Sequence, residues 1–101
     1  MQAERIKALC QANKILWTRH CLARMFQRDI SREDVKAVLL AGEIIEDYPS
    51  DHPYPSCLLL GAGPLHIVCG MAEDRLFVIT AYRPDPNEWE PDYKTRKEGR
   101  P

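Results

Sequence analysis

His20, Arg24 and Arg28 recur at intervals of four residues, and Arg19 stands beside the first of them. On a helix that interval stacks side chains in one column. Arginine makes planar, charge-assisted contacts to phosphate oxygens, and histidine exchanges a proton near neutral pH. Such a column could hold a phosphodiester and supply acid–base chemistry to it. The plainer reading of the same spacing is a solvated basic face with a histidine at its start. His66 lies between apolar neighbours in PLHIVCG, where a histidine most often serves packing. Set across a helix–sheet cleft from His20, it would become the second half of an acid–base pair. Tyr82 and Arg83 close an apolar run, at a strand end where functional side chains emerge; Tyr48 closes another, and edge packing is the plain reading of both tyrosines. His52, in a proline-rich loop, carries little weight.

The cysteines offer less. Cys10, Cys21, Cys57 and Cys69 contain no CxxC pair, so neither a zinc knuckle nor a redox motif is written here, and buried small hydrophobes are the simplest account. His66 and Cys69, three apart on a strand, should point to opposite faces. Cys57 and Cys69 could meet across a hairpin, but two ligands do not make a zinc site. No metal is expected, and no cofactor. No P-loop, GxGxxG, GxSxG or HExxH is present, which disfavours nucleotide-fuelled, dinucleotide-dependent and serine-hydrolase functions.

The elements that must position these residues follow from periodicity. Ala3, Ile6, Leu9 and Cys10 recur at helical spacing, predicting a helix from Gln2 to Asn13. Residues 14 to 17 form a brief apolar connector with some strand character. Thr18 is an N-cap candidate, with Trp17 and Leu22 placed as a hydrophobic staple, for a helix that runs to Arg28 and buries Cys21, Leu22, Met25 and Phe26. Ser31 caps a third helix with Asp34 at the capping-box position, Ile30 and Val35 as a second staple, and Gly42 as a left-handed stop. Strands are then expected at Glu43–Tyr48, Ser56–Leu60, Leu65–Met71 and Arg75–Arg83, with short turns between the last three, which makes them an antiparallel meander. A two-residue turn at Glu73 and Asp74 would pair His66 with Ala81. The last two strands are apolar on both alternations, unusual for a sheet covered on one side only. The first helix, the tail or another chain must cover the second face.

The chain has 101 residues and 11.6 kDa, with 45% hydrophobic and 29% charged residues, the size and make-up of one α+β domain. Residues 1–93 are read as that domain and 94–101 as a charged, frayed tail. No apolar run approaches the ~20 residues of a membrane span, and the N-terminus lacks signal-peptide character. A cytoplasmic bacterial protein with no membrane association is expected. Net charge is −1, with an uneven distribution: +4 up to Leu40, −8 from Ala41 to Tyr93 and +3 thereafter. A basic helical half and tail could meet phosphate, and the acidic half a basic partner.

The order Thr18-x-His20, Arg28-x-Ile30-Ser31, GEIIEDYP, PSCLLLG, PLHIVCG and VITAYRPDPNEW resembles the bacterial family called domain of unknown function 4258, over about Ile15 to Trp89. Members of that family look like small relatives of the RelE, ParE and MqsR toxins. The resemblance implies two to three N-terminal helices on a four-stranded, mainly antiparallel sheet, and a gene neighbour encoding a zinc-finger antitoxin of the YgiT or MqsA type. It also implies a toxin that cleaves messenger RNA without metal. Carried over by motif, the family's histidines fall on His20 and His66, its arginine on Arg28 and its strand-end Thr-x-Tyr on Thr80 and Tyr82. His20, His66, Arg28 and Tyr82 are the catalytic candidates, and Arg19, Arg24 and Arg83 the substrate-binding ones. In that scheme the histidines exchange protons with the 2′-hydroxyl and the leaving oxygen, and the arginines stabilise the phosphorane. Since RNA binding depends on neutralised phosphates, the helical half and tail would have to supply a local basic surface. The alternative is a non-catalytic module on the same scaffold, using its two-faced sheet to grip a protein partner or to dimerise.

Overall fold

Two of the three helices start where the sequence supplies a capping side chain. The structure, a computed structural model, describes residues 1–98. Helix α1 spans Ala3–Gln11 and buries Ile6, Leu9 and Cys10. Helix α2, Arg19–Gln27, begins at Thr18, whose hydroxyl accepts from the Cys21 backbone N–H at 3.1 Å. Helix α3, Arg32–Ala41, opens on a complete capping box: Ser31 accepts from Asp34 N–H at 3.0 Å and Asp34 accepts from Ser31 N–H at 2.9 Å. That reciprocal pair satisfies two otherwise orphaned donors. Gly42 ends α3, but its φ of −74° is extended rather than left-handed. Close packing explains the glycine instead, since a Cβ there would lie 2.5 Å from the Val38 carbonyl oxygen and 2.9 Å from that of Leu60.

The sheet is five-stranded and mixed, in the order β1-β5-β4-β3-β2. Strands β2 (Glu43–Tyr48), β3 (Ser56–Gly61), β4 (Leu65–Ala72) and β5 (Arg75–Tyr82) are antiparallel neighbours. The connector before α2 supplies the additional strand: β1, Ile15–Trp17, runs parallel to β5 with Ile15 opposite Leu76 and Trp17 opposite Val78. Three residues give a weak periodic signal, so a four-stranded count is what the sequence alone supports.

One face of the sheet (Cys57, Leu59, Ile67, Cys69, Leu76, Val78 and Ala81) meets the buried residues of all three helices. Phe26 does not join them: it is 88% exposed, because Cys21 and Met25 take up the inward stripe of the short α2. The second face belongs to the alternate residues, among them Glu46, Tyr48, Leu58, His66 and Tyr82. A register shift in β5 decides that grouping. Val68 pairs with Thr80 while Cys69 pairs with Val78, leaving one extra residue in β5. This bulge moves the partner of His66 from the expected Ala81 to Tyr82 and turns the tyrosine onto the histidine's face.

The C-terminal segment covers that second face at its His66 end. Glu88–Lys97 folds back on itself as a small strap, with Lys97 N–H donating to Glu88 at 3.0 Å, Glu90 N–H donating to Thr95 at 2.8 Å and a bridge between Trp89 and Arg96. Asp92 shapes its turn by accepting from the backbone of Lys94 and Thr95. Lys94 and Arg96, in the segment expected to fray, pair with Glu43 and Glu46 of the sheet, and residues 99–101 of that expected tail lie outside the described residues. At the other end the Phe77 ring fills the space above Gly70, and Tyr54 meets Phe77 edge-on at 5.5 Å.

Candidate functional site

Two constellations gather the residues that could do chemistry. The first is the outer surface of α2. Arg19, His20 and Arg24 are exposed on it, and the helix RHCLARMFQ contains no acidic residue. Among the described residues the ion pairs use the Met1 amino group, Lys14, Lys94 and Arg96. Arg19 and Arg24 are left without carboxylate partners. Arg28 and Arg83 are engaged differently. Strand β1 ends at Trp17, so β5 has a free edge beyond it; Arg28 donates there to the Ala81 carbonyl at 2.9 Å and to the Thr80 hydroxyl at 3.4 Å. Arg83 reaches back in the other direction, to the carbonyls of Arg28 and, at 3.0 Å, Asp29. The two arginines clamp the end of α2 to the end of β5, satisfying helix-terminal carbonyls. They position the helix rather than stand free for a ligand.

The second constellation is built under the strap. His66 is fully buried. Its Nε2 lies 2.8 Å from the Tyr93 carbonyl oxygen and its Nδ1 3.2 Å from the Tyr82 hydroxyl. A carbonyl can only accept, so Nε2 carries the proton and Tyr82 donates to Nδ1. The Trp89 ring stands edge-on to the imidazole at 4.6 Å and that of Tyr82 at 5.3 Å. Burial pushes the imidazole pKa down, the Tyr93 carbonyl and Glu46 partly counter this, and Arg96 adds to it. His66 is a neutral imidazole with both nitrogens occupied. Burial likewise raises the Tyr82 phenol.

The margin of this cluster is charged. Arg96 lies 4.5 Å above the Trp89 ring and makes a bidentate contact with Glu46 at 2.9 and 3.0 Å. Tyr48 donates a short hydrogen bond to the same carboxylate. The Arg96 contact is the main reason the Glu46 carboxyl is held below its usual range. Lys94 pairs with Glu43 at 2.9 Å. Two cations of the basic tail thus neutralise two carboxylates of the acidic sheet, and the uneven charge of the sequence folds onto itself.

The expected acid–base pair is not assembled: His20 is exposed on α2, whereas the partners of His66 are Tyr82, Tyr93 and Trp89. The structure brings together His66 with Tyr82, and Arg28 with Arg83, and leaves Arg19, His20 and Arg24 on a separate surface. Glu46, Tyr93 and Arg96 were missed because their roles depend on contacts spanning up to 50 residues; the opposite charges of sheet and tail were the available signal. Cys57 and Cys69 do meet, with sulfurs 3.9 Å apart, but among the described residues no three His, Cys, Asp or Glu side chains cluster as a metal site would require. No described helix is long and apolar enough to cross a membrane.

Three helices on one face of a mixed sheet, with a polar cluster strapped down on the other, define a small α+β protein. The chain belongs to the family described as Domain of unknown function (DUF4258), whose model matches residues 17–83. That span runs from the staple before α2 to the arginine clamp after β5, and the strap lies beyond it. Comparisons with curated proteins and with solved structures give no match.

Proposed function

We propose that this chain is the RelE-like, toxin-type member of a bacterial toxin–antitoxin pair, engaging messenger RNA through the outer face of α2. The observation that carries this reading is the column of His20 and Arg24 with Arg19 beside it, without carboxylate partners among the described residues and on a helix without acids, while the acids of the sheet are neutralised from within the chain. Such a column follows a phosphodiester backbone, and its affinity must fall with salt. A zinc-finger antitoxin of the YgiT or MqsA type is the partner this reading carries with it. Because His66 is sealed, His20 is the histidine within reach of RNA in this arrangement.

Anisotropy titrations of a labelled single-stranded RNA across a salt series test the proposal. The wild type should bind with a clear salt slope. Replacing both Arg19 and Arg24 with alanine should lower that slope by about 1.4, the effect of two lost contacts to single-stranded phosphates. Binding that ignores both salt and the two substitutions would overturn it. A second reading, a protein-binding module on the same scaffold, is favoured by the 88% exposure of Phe26 on the same helix. Phe26→Ala separates the two, since it should leave RNA affinity unchanged if α2 meets phosphate and abolish partner capture if α2 meets protein.

A further inference from the structure

We propose that the cavity between the loop 51–54 and the outer face of β5 holds one base of a single-stranded RNA whose backbone runs along α2. The inference rests on the RNA reading above and gives that reading a base-binding site remote from His66 and the strap.

The cavity lies at the end of the second face that the strap leaves open. Phe77 and Ile79 line it from β5, Pro53 and Tyr54 from the loop, and Thr18 from the start of α2. Its volume of about 340 Å³ falls within the range of small-ligand sites. Leu16, Tyr54 and Ile79 are 47%, 44% and 38% exposed, three of the five large apolar side chains that the described residues leave in water. All three gather around Phe77. Leu16 is its partner in the β1–β5 register, Tyr54 meets it edge-on at 5.5 Å, and Ile79 stands two residues along β5. Single apolar side chains in water are ordinary, whereas several in one place mark a binding surface. Ile79 is also the residue that the β5 register skips, and bulges commonly re-aim a side chain beside a site.

The surroundings of the cavity select a base as its occupant. Tyr54 presents its edge-on pair to Phe77 and keeps much of its ring in solvent. Rings of this kind stack the bases of single strands with little regard to sequence. Thr18 is the N-cap of α2, and Arg19 follows it directly. A strand whose phosphates meet Arg19 therefore passes the Thr18 end of the cavity, one sugar away from its base. The acid of the lining, Asp51, is tied into its own loop, accepting from the Ser56 hydroxyl at 2.6 Å and from the His52 N–H at 3.1 Å. His52, exposed in the same lining, offers a donor or an acceptor to the edge of a base.

Anisotropy titrations test this on the full chain, with a short labelled single-stranded RNA and an abasic ribose-phosphate strand of equal length. Tyr54→Ala should weaken RNA binding about tenfold, the scale of one lost base–aromatic stack. It should leave the salt slope and the affinity for the abasic strand unchanged. Tyr54→Phe keeps the ring and should bind as the wild type does. Circular dichroism checks folding, and Ile79→Ser, also expected to weaken RNA alone, replaces Tyr54→Ala if that variant unfolds. If Tyr54→Ala binds RNA as tightly as the wild type while the Arg19 and Arg24 substitutions still lower the salt slope, the base site is refuted and the proposed function stands. Equal losses for the RNA and the abasic strand would also overturn the base site, since the ring would then hold backbone. A wild-type dimer that Tyr54→Ala separates would make the patch an interface between copies instead. If the wild type shows no salt-dependent RNA binding, both readings fall.

Discussion

At the scale of single residues, His66 is the clearest example of a group whose chemistry is set by its surroundings. The unfolded chain titrates it near 6.5, whereas burial holds the folded imidazole lower. Between those two values the unfolded state binds a proton that the folded state refuses, so stability is complete above about pH 6.5 and declines as pH falls below it. The carboxylates whose folded values are depressed, Asp34, Glu46 and Asp92, act at lower pH still. Urea midpoints measured from pH 7.5 down to 5 should therefore drop in the wild type and stay flatter in His66→Gln. A flat wild-type profile over that range would contradict the sealed imidazole. Arg28 and Arg83 illustrate the opposite lesson. Their residue types suggest phosphate, but each is spent on backbone carbonyls that β1 and α2 leave unpaired.

At the scale of elements, the strap is the part most sensitive to one side chain. Trp89 touches His66 on one side and carries Arg96 on the other. Trp89→Ala should cost about 3–5 kcal/mol, the usual loss for a large buried aromatic, read as a shift of the urea midpoint. It should also raise amide exchange in residues 88–97 ahead of the sheet. A loss below 1 kcal/mol would mean that the strap is held by its ion pairs instead. The helices, the caps at Thr18 and Ser31 and the last four strands were legible in the sequence, because capping residues and periodic apolar positions act locally. Three things were not. The bulge in β5 depends on how two strands settle against each other, and it alone brings Tyr82 over His66. β1 is too short to show a period. Phe26 sits at a position that helical spacing makes inward, and only the docking of α2 turns it out. The need for a cover on the second face was readable from the doubled apolar pattern, but the choice among first helix, tail and another chain was not. That choice rested on pairing between Lys94 and Glu43 and between Arg96 and Glu46, half the chain apart.

At the scale of the whole molecule, an internal cover changes what the surface can do. With the second face occupied by the strap at one end and by Phe77 and Tyr54 at the other, the exposed large apolar groups are Leu16, Phe26, Leu40, Tyr54 and Ile79. The sheet edges are blunted too: β1 has three residues, and β2 carries Glu43 and Asp47, the latter paired with the Met1 amino group. Sedimentation at micromolar concentration should accordingly give a monomer of 11.6 kDa; a stable dimer would instead favour the protein-binding reading. The sheet order carries a further consequence, for the timing of synthesis. Because β1 pairs only with β5, the first strand to leave a ribosome waits for the last, while the helices between them can form as they emerge. The strap that pairs with Glu43 and Glu46 comes later still, so the nascent chain displays the basic face of α2 before the acids of its sheet are neutralised.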